Sequence, residues 1–238
     1  MFLLAAAVLP PLSGNFLPAW NLEGMAAEKG KISKITEHYR EGDVVYFFDR
    51  NGRKILQTYP DKETRQKIEH RFFYNSEGKL EKIDCSADGS LVYFEKATYH
   101  DGLLRELVHY DSRGREVFWT TMMNYDDKTA KLKSFGIQQP DGRVDYFYDR
   151  NSKGEVVYIR AFVRNKLGSA ARYIFNSAGL ITEVHSFDVN MKNAGIILNQ
   201  WQLDKHGNWI EKKSFFRKNA AAKPRLVAVV KRSIEYVK

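Results

Sequence analysis

Seven short segments of this 238-residue chain carry Asp or Asn, two free positions, then Gly. The pairs are Asp49/Gly52, Asn75/Gly78, Asp111/Gly114, Asn151/Gly154, Asn165/Gly168, Asn176/Gly179 and Asp204/Gly207. An Asp or Asn side chain that opens a type I turn can accept the backbone N–H two residues on, and a glycine in fourth place enters φ > 0 without steric cost. Such a turn with its left-handed glycine is a common three-residue hairpin connection. Tighter Asp-Gly signals stand at 88–89, 101–102 and 141–142. The glycines fall at 78, 89, 102 and 114, and again at 142, 154, 168 and 179. Each interval leaves room for one strand and one turn, which is the spacing of an all-β meander.

The gaps in the series hold further connections. Asn124–Lys128 reads as a turn without glycine, and Asn190–Gly195 as a longer loop. Between turns the residues alternate as strands do, yet Tyr, Phe or Trp stands on both faces, as in Glu116–Tyr125. Clean apolar-in, polar-out alternation marks a simple sandwich; aromatic residues on both sides point to one curved sheet with a partly covered second face. The expected fold is therefore all-β, an antiparallel meander of about a dozen strands from residue 40 onward. A closed barrel or a two-sheet sandwich is the second choice, decided by whether the first and last strands pair. Residues 26–40 show a weak helical period.

The segment LDKHGNWIEK, 203–212, sets Asp204, Lys205 and His206 side by side. It fits the turn template, and the tips of the other turns (Arg50-Asn51, Ser76-Glu77, Ser112-Arg113) have no comparable group. The reading is a turn, with Gly207 in the left-handed position. The six histidines never form His-x-His or His-Glu-x-x-His, so no metal site or cofactor is expected. No Gly-x-Ser-x-Gly elbow and no phosphate-binding glycine loop appears. Cys85 is the single cysteine and reads as a small core residue. No catalytic residue is assigned.

Charge is uneven. Of the formal net charge of +9, residues 211–238 supply nine Lys and Arg against two Glu. Lys212, Lys213, Arg217, Lys218, Lys223 and Arg225 form a candidate anion-binding patch around the Ala220–Ala222 loop. The competing reading is a solvated edge hairpin whose lysines discourage strand-to-strand association. At the other end, the apolar run Phe2–Leu9 is too short to span a bilayer as a helix. Residues 1–27 read either as a signal segment, with Gly24 and Ala26 as small residues before a cleavage site, or as an apolar arm; Met25 is an alternative start. Residues 28–238 read as a single domain.

The unit aromatic-Asx-x-x-Gly resembles the YD repeat of bacterial Rhs-type proteins. Tyr110-Asp111-Ser112-Arg113-Gly114 matches it in full, and Phe48-Asp49, Tyr74-Asn75 and Phe175-Asn176 match with conservative changes. Leu203–Trp209 with Arg232–Tyr236 resembles the last unit of short exported members. The resemblance covers about residues 40–238. It departs from the large members, since no Asp-Pro-x-Gly segment and no appended toxin domain is present. MORN-type meanders are a neighbouring likeness. The resemblance implies a non-enzymatic binding or scaffold protein of the bacterial cell envelope, exported to the periplasm or beyond. Its expected partner is a protein or polysaccharide surface, with nucleic acid disfavoured. The alternatives are a hydrolase using carboxylates on a β scaffold, or an anion or nucleic-acid binder acting through the basic hairpin.

Overall fold

The computed structural model describes residues 30–139 and 142–237. The first strands are β1 (Ile32–Tyr39), β2 (Gly42–Phe48), β3 (Lys54–Pro60), β4 (Lys67–Tyr74), β5 (Leu80–Ala87) and β6 (Ser90–His100). Then come β7 (Leu103–Asp111), β8 (Glu116–Tyr125), β9 (Leu132–Gln139), β10 (Gly142–Arg150) and β11 (Val156–Val163). The series ends with β12 (Lys166–Phe175), β13 (Ile181–Phe187), β14 (Asn193–Leu203), β15 (Trp209–Arg217) and β16 (Arg225–Tyr236). Each strand pairs antiparallel with the next, and β1 pairs with β16 from Ile32↔Tyr236 to His38↔Lys231. First and last strands therefore join. The sheet is a closed up-and-down barrel of sixteen strands rather than the open curved meander the turn spacing suggests.

Six of the seven Asx-x-x-Gly turns form. In each the Gly N–H donates to the Asx carbonyl, at 2.9–3.1 Å. The Asx side chain accepts from the residues two and four positions on; Asp111 takes the N–H groups of Arg113 and Arg115, both at 2.9 Å. Gly114 sits at φ 79° and Gly207 at φ 82°. Asn165/Gly168 does not form such a turn. Val163 pairs with Lys166, so Arg164 and Asn165 make a two-residue connection, both at positive φ, and Gly168 lies inside β12. Gly142 pairs with Gln139 and starts β10 instead of sitting in the turn. Two connections use Asp-x-x-Thr instead of glycine: Asp61 and Asp126 each accept from a Thr N–H and its hydroxyl. Asp188 repeats the Asx turn with Met191 at φ 59° in the glycine's place.

Residues 32–39 are strand, not helix. Ile32 and Ile35, three apart, share a buried face because a bulge between Ile32 and Lys34 shifts the register by one. That spacing mimics a helical period. The expected boundary at residue 27 lies outside the described residues.

One face of the wall carries most of the buried apolar residues, although Ala170 and Ile196 are buried on the other. The buried face carries Phe72, Ile83, Leu107, Met123, Phe135, Ile159, Ala171 and Tyr173 as a continuous band from β4 to β13. A second band, Ile32, Ile35, Val44 and Tyr46, lies on β1 and β2 with Ile234 and Tyr236 beside it. Side chains on a concave wall converge and shield one another, so this is the inner face. The alternate residues face outward. They include Glu69, Arg71, Lys82, Asp84, Arg143, Asp145, Arg160 and Lys213, mixed with Phe73 and Phe147. A round barrel of this strand number has a backbone radius of about 15 Å. The two apolar bands stay separate, and Cα atoms of different strands approach within 8 Å only between ladder neighbours among the described residues.

Candidate functional site on the inner wall

Between the apolar bands the inner face carries a polar tract, built by register. His70 and Cys85 are Cα partners, as are Gln57 and His70, Cys85 and Tyr93, and Glu95 and His109. The period-2 alternation of strands then sends all of them inward. His70 Nε2 lies 3.2 Å from Tyr59 Oη and 3.6 Å from Cys85 Sγ. Tyr93 and His109 stack with ring centres 4.1 Å apart, and His109 Nδ1 is 3.7 Å from Glu95 Oε1. Burial lowers the His70 pKa; Glu95 opposes that and the Lys54 charge adds to it. Burial raises the Cys85 thiol, against a weaker lowering by its bond to Tyr93. A nucleophilic cysteine needs the opposite shift. The group is a network of polar side chains around Glu95, and Cys85 is buried as the sequence suggests.

The second part of the tract centres on Glu37, which is 3% exposed. Both Arg232 Nε and Nη2 donate to its Oε1 at 2.9 Å. The Tyr39 hydroxyl donates to Oε2 at 2.7 Å and that of Tyr46 at 3.3 Å. Arg232 lies on the Trp209 ring, Cζ to centroid 3.8 Å. On one side of this pair stands Lys54, over the rings of Tyr46 at 5.1 Å and Phe72 at 5.3 Å. On the other stands Lys212, 5.7 Å from Trp201 and 5.9 Å from Trp209. Burial pushes Lys54 down to about 8, against the attraction of Glu37. Burial lowers Lys212 as well, again opposed by Glu37. Three cations thus share one carboxylate across six consecutive strands, β14, β15, β16, β1, β2 and β3.

The structure divides the sequence-predicted patch. Lys212 points to the inner wall. Lys213 is on the outer face, 3.1 Å from Glu211. Arg217, Lys218, Lys223 and Arg225 stand at the rim around the Ala220–Ala222 loop, Arg217 donating to Ala220 O at 3.2 Å. Here β16 runs on past β1: residues 225–230 follow β15 but lie beyond the last β1 pairing at Lys231. That overhang is the edge the lysines flank. The turn at 204–208 is a turn as read, and it also anchors the C-terminal strand. The Tyr236 hydroxyl donates to Asp204 Oδ2 and accepts from Asn208 Nδ2 at 2.8 Å.

The sequence reading missed Glu37, Lys54, His70 and Arg232. Counting outward from each turn would have placed His70 opposite Cys85, since the Asn75 turn fixes that hairpin's register. Glu37 and Arg232 had no local signal. Among the described residues, Glu37 is the only carboxylate that is fully buried; Glu95 is a second, less buried carboxylate on the same inner face. No group of three or more His, Cys, Asp or Glu among the described residues could hold a metal. No described helix is long and apolar enough to cross a membrane. A separate cleft of about 520 Å³ opens beside Lys153, Arg172 and Phe175, four or more strands from Glu37.

No family model matches the sequence, and no curated protein matches it. Membership of the YD-repeat family is therefore not carried beyond the shared turn unit. Among solved structures, the chain is similar to a porin-like protein from Bacteroides uniformis, with TM-score 0.61 and 13% identity over 89% of this chain and 100% of that one. A porin-like protein from Bacteroides vulgatus matches at TM-score 0.45 and 11% identity, over 87% of this chain and 100% of that one. The Tc holotoxin pore of Photorhabdus luminescens matches at TM-score 0.35 and 15% identity, over 79% of this chain and 9% of that one. What the first likeness shows is the fold, an antiparallel β-barrel.

Proposed function

We propose that this chain is a non-enzymatic binding protein of the bacterial envelope, an aqueous barrel that holds its ligand against the inner wall. The observation that carries this reading is the distribution of charge. Ion pairs such as Lys82–Asp84 and Arg143–Asp145 cover the outer face, while the buried ionisable groups meet inside. A lipid-facing Lys or Arg near the bilayer midplane costs about 2–4 kcal/mol. A wall carrying many such residues therefore belongs in water, in the periplasm or outside the cell, rather than across a membrane. The bacterial, porin-like neighbour with the same fold supports the envelope setting.

Cell fractionation with N-terminal sequencing tests this. The expected result is a processed chain in the periplasmic or external fraction, released without detergent. A cytosolic chain, or one that only detergent extracts, contradicts it. A second reading rests on the rim cations Arg217, Lys218, Lys223 and Arg225, which flank the Ala220–Ala222 loop as an anion-contact surface. Binding through them would weaken steeply with salt.

A further inference from the structure

We propose that the free edge of β16 takes up an extended segment of a partner protein as a further antiparallel strand, with the acidic C-terminal end of that segment against Lys218, Lys223 and Arg225. This surface stands apart from the inner wall and does not depend on what the lumen holds. The backbone comes first. β1 ends at Tyr39, one residue past its last pairing with β16, and the chain turns away through Arg40-Glu41 into β2. Residues 225–230 therefore pair with β15 on one side, and among the described residues no further backbone group bonds to them. Every second residue of that stretch turns its N–H and C=O to the open edge. Six residues of strand run about 20 Å, room for a ladder with one more strand. Bare strand edges are where extended peptides add.

The side chains are the second argument. Leu226, Val227, Ala228, Val229 and Val230 form an uncharged, β-prone run between Arg225 and Lys231. Leu226 is 54% exposed, Val227 49% and Val229 39%, so apolar area at this edge is left for a neighbour to cover. Val227 is the extra residue of a bulge opposite Phe215, and an added strand would pass it as β15 does. Charge selects the neighbour. Lys218, Lys223 and Arg225 are exposed where β16 begins, and no Asp or Glu occurs from residue 212 to residue 234. Among the described residues, none of the three has a carboxylate within 4 Å. A second copy pairing edge to edge about Ala228 would set Arg225 opposite a second Lys231, like charge against like. An acidic segment meets the same cations favourably, so the charges that repel a copy attract this partner. Antiparallel pairing, as β1 and β15 both make with β16, runs the added strand from Lys231 towards Arg225. Its C-terminal end thus arrives at the cations.

Fluorescence anisotropy of a labelled peptide, Thr-Val-Thr-Val-Thr-Val-Asp-Glu-Asp, titrated with the full chain tests the edge. The expected result is saturable binding, about 10-fold or more tighter than that of a twin ending in Lys-Arg-Lys. A second twin, acidic but methylated on two adjacent central backbone nitrogens so that both of its edges are blocked, should bind about 10-fold or more weakly. The double variant Lys218→Glu/Lys223→Glu, in an exposed loop, should reverse the preference between the two tails. Lys153→Glu, exposed in the turn between β10 and β11, should leave that preference unchanged. No saturable binding, equal binding of the methylated twin, or an unaltered preference in the double variant overturns the proposal. So does a dimer of the full chain in sedimentation that Leu226→Lys/Val229→Lys dissolves, because a second copy then fills the edge.

Discussion

Lys54→Met should make the protein more stable, and the gain should vanish with rising pH. Lys54 is half-buried, its ammonium over the Tyr46 and Phe72 rings, and loss of solvent lowers its pKa from 10.5 to about 8. The native state therefore holds this proton more weakly than the unfolded chain does. Below about pH 8 both states are charged, and the native state carries the whole desolvation cost, about 3 kcal/mol. Above it, native Lys54 is neutral while the unfolded lysine stays charged up to its ordinary 10.5. The cost therefore fades between pH 8 and pH 10.5 and is about 1 kcal/mol at pH 10. Methionine keeps the stem and drops the charge. It also loses the 3.4 Å bond to Gln57 and the two ring contacts, worth about 1–2 kcal/mol together. The expected net gain at pH 7 is about 1–2 kcal/mol, shrinking to nothing or reversing at pH 10. Urea unfolding of both chains at the two pH values reads it directly. A variant less stable than the parent at pH 7, or a gap that does not move with pH, refutes a desolvated Lys54.

Glu37→Gln should destabilise strongly, by about 3–5 kcal/mol, because it takes the charge from a buried pair with Arg232; a loss under 1 kcal/mol in urea unfolding would count against it. Gly114→Val should cost about 1–2 kcal/mol, a β-branched residue being forced to positive φ, while Arg113→Ala at the exposed tip of the same turn stays within about 0.5 kcal/mol. The space around Gly114 is open, so the strain at φ 79° is the whole effect. Tyr236→Phe removes the hydroxyl shared by Asp204 and Asn208 and should cost about 1–2 kcal/mol. Cys85, buried and with its thiol pushed up, should react with a thiol reagent only on unfolding; rapid reaction in the native protein would contradict the inward placement.

What was legible in the sequence was local. Asp49, Asn75, Asp111, Asn151, Asn176 and Asp204 make turns through their own side chains, so five or six residues contain the whole cause. The strand count came out low where that chemistry is missing. Arg40-Glu41 turns the chain in two residues without glycine, and Asp61–Gln66 uses a threonine hydroxyl. Closure was not legible, because it depends on pairing Ile35 with Ile234, far apart in the chain. The site suffered the same way. Glu37 and Arg232 meet only once the barrel closes, and Lys212 parts from Lys213 only because neighbouring strand residues face opposite ways.

Closure of the barrel at the β1–β16 seam underlies both the inner wall and its ion pair. Thr36 and Ser233 are Cα partners across that seam on the outer face. A Cys85→Ala background carrying Thr36→Cys and Ser233→Cys should form one intramolecular disulfide under mild oxidation, seen as a crosslinked peptide pair by mass spectrometry. The same oxidation of Thr36→Cys with a cysteine at Thr120, on β8 across the barrel, should give none. If the seam pair stays reduced, or the cross-barrel pair links as readily, first and last strands are not joined and the closed barrel is wrong.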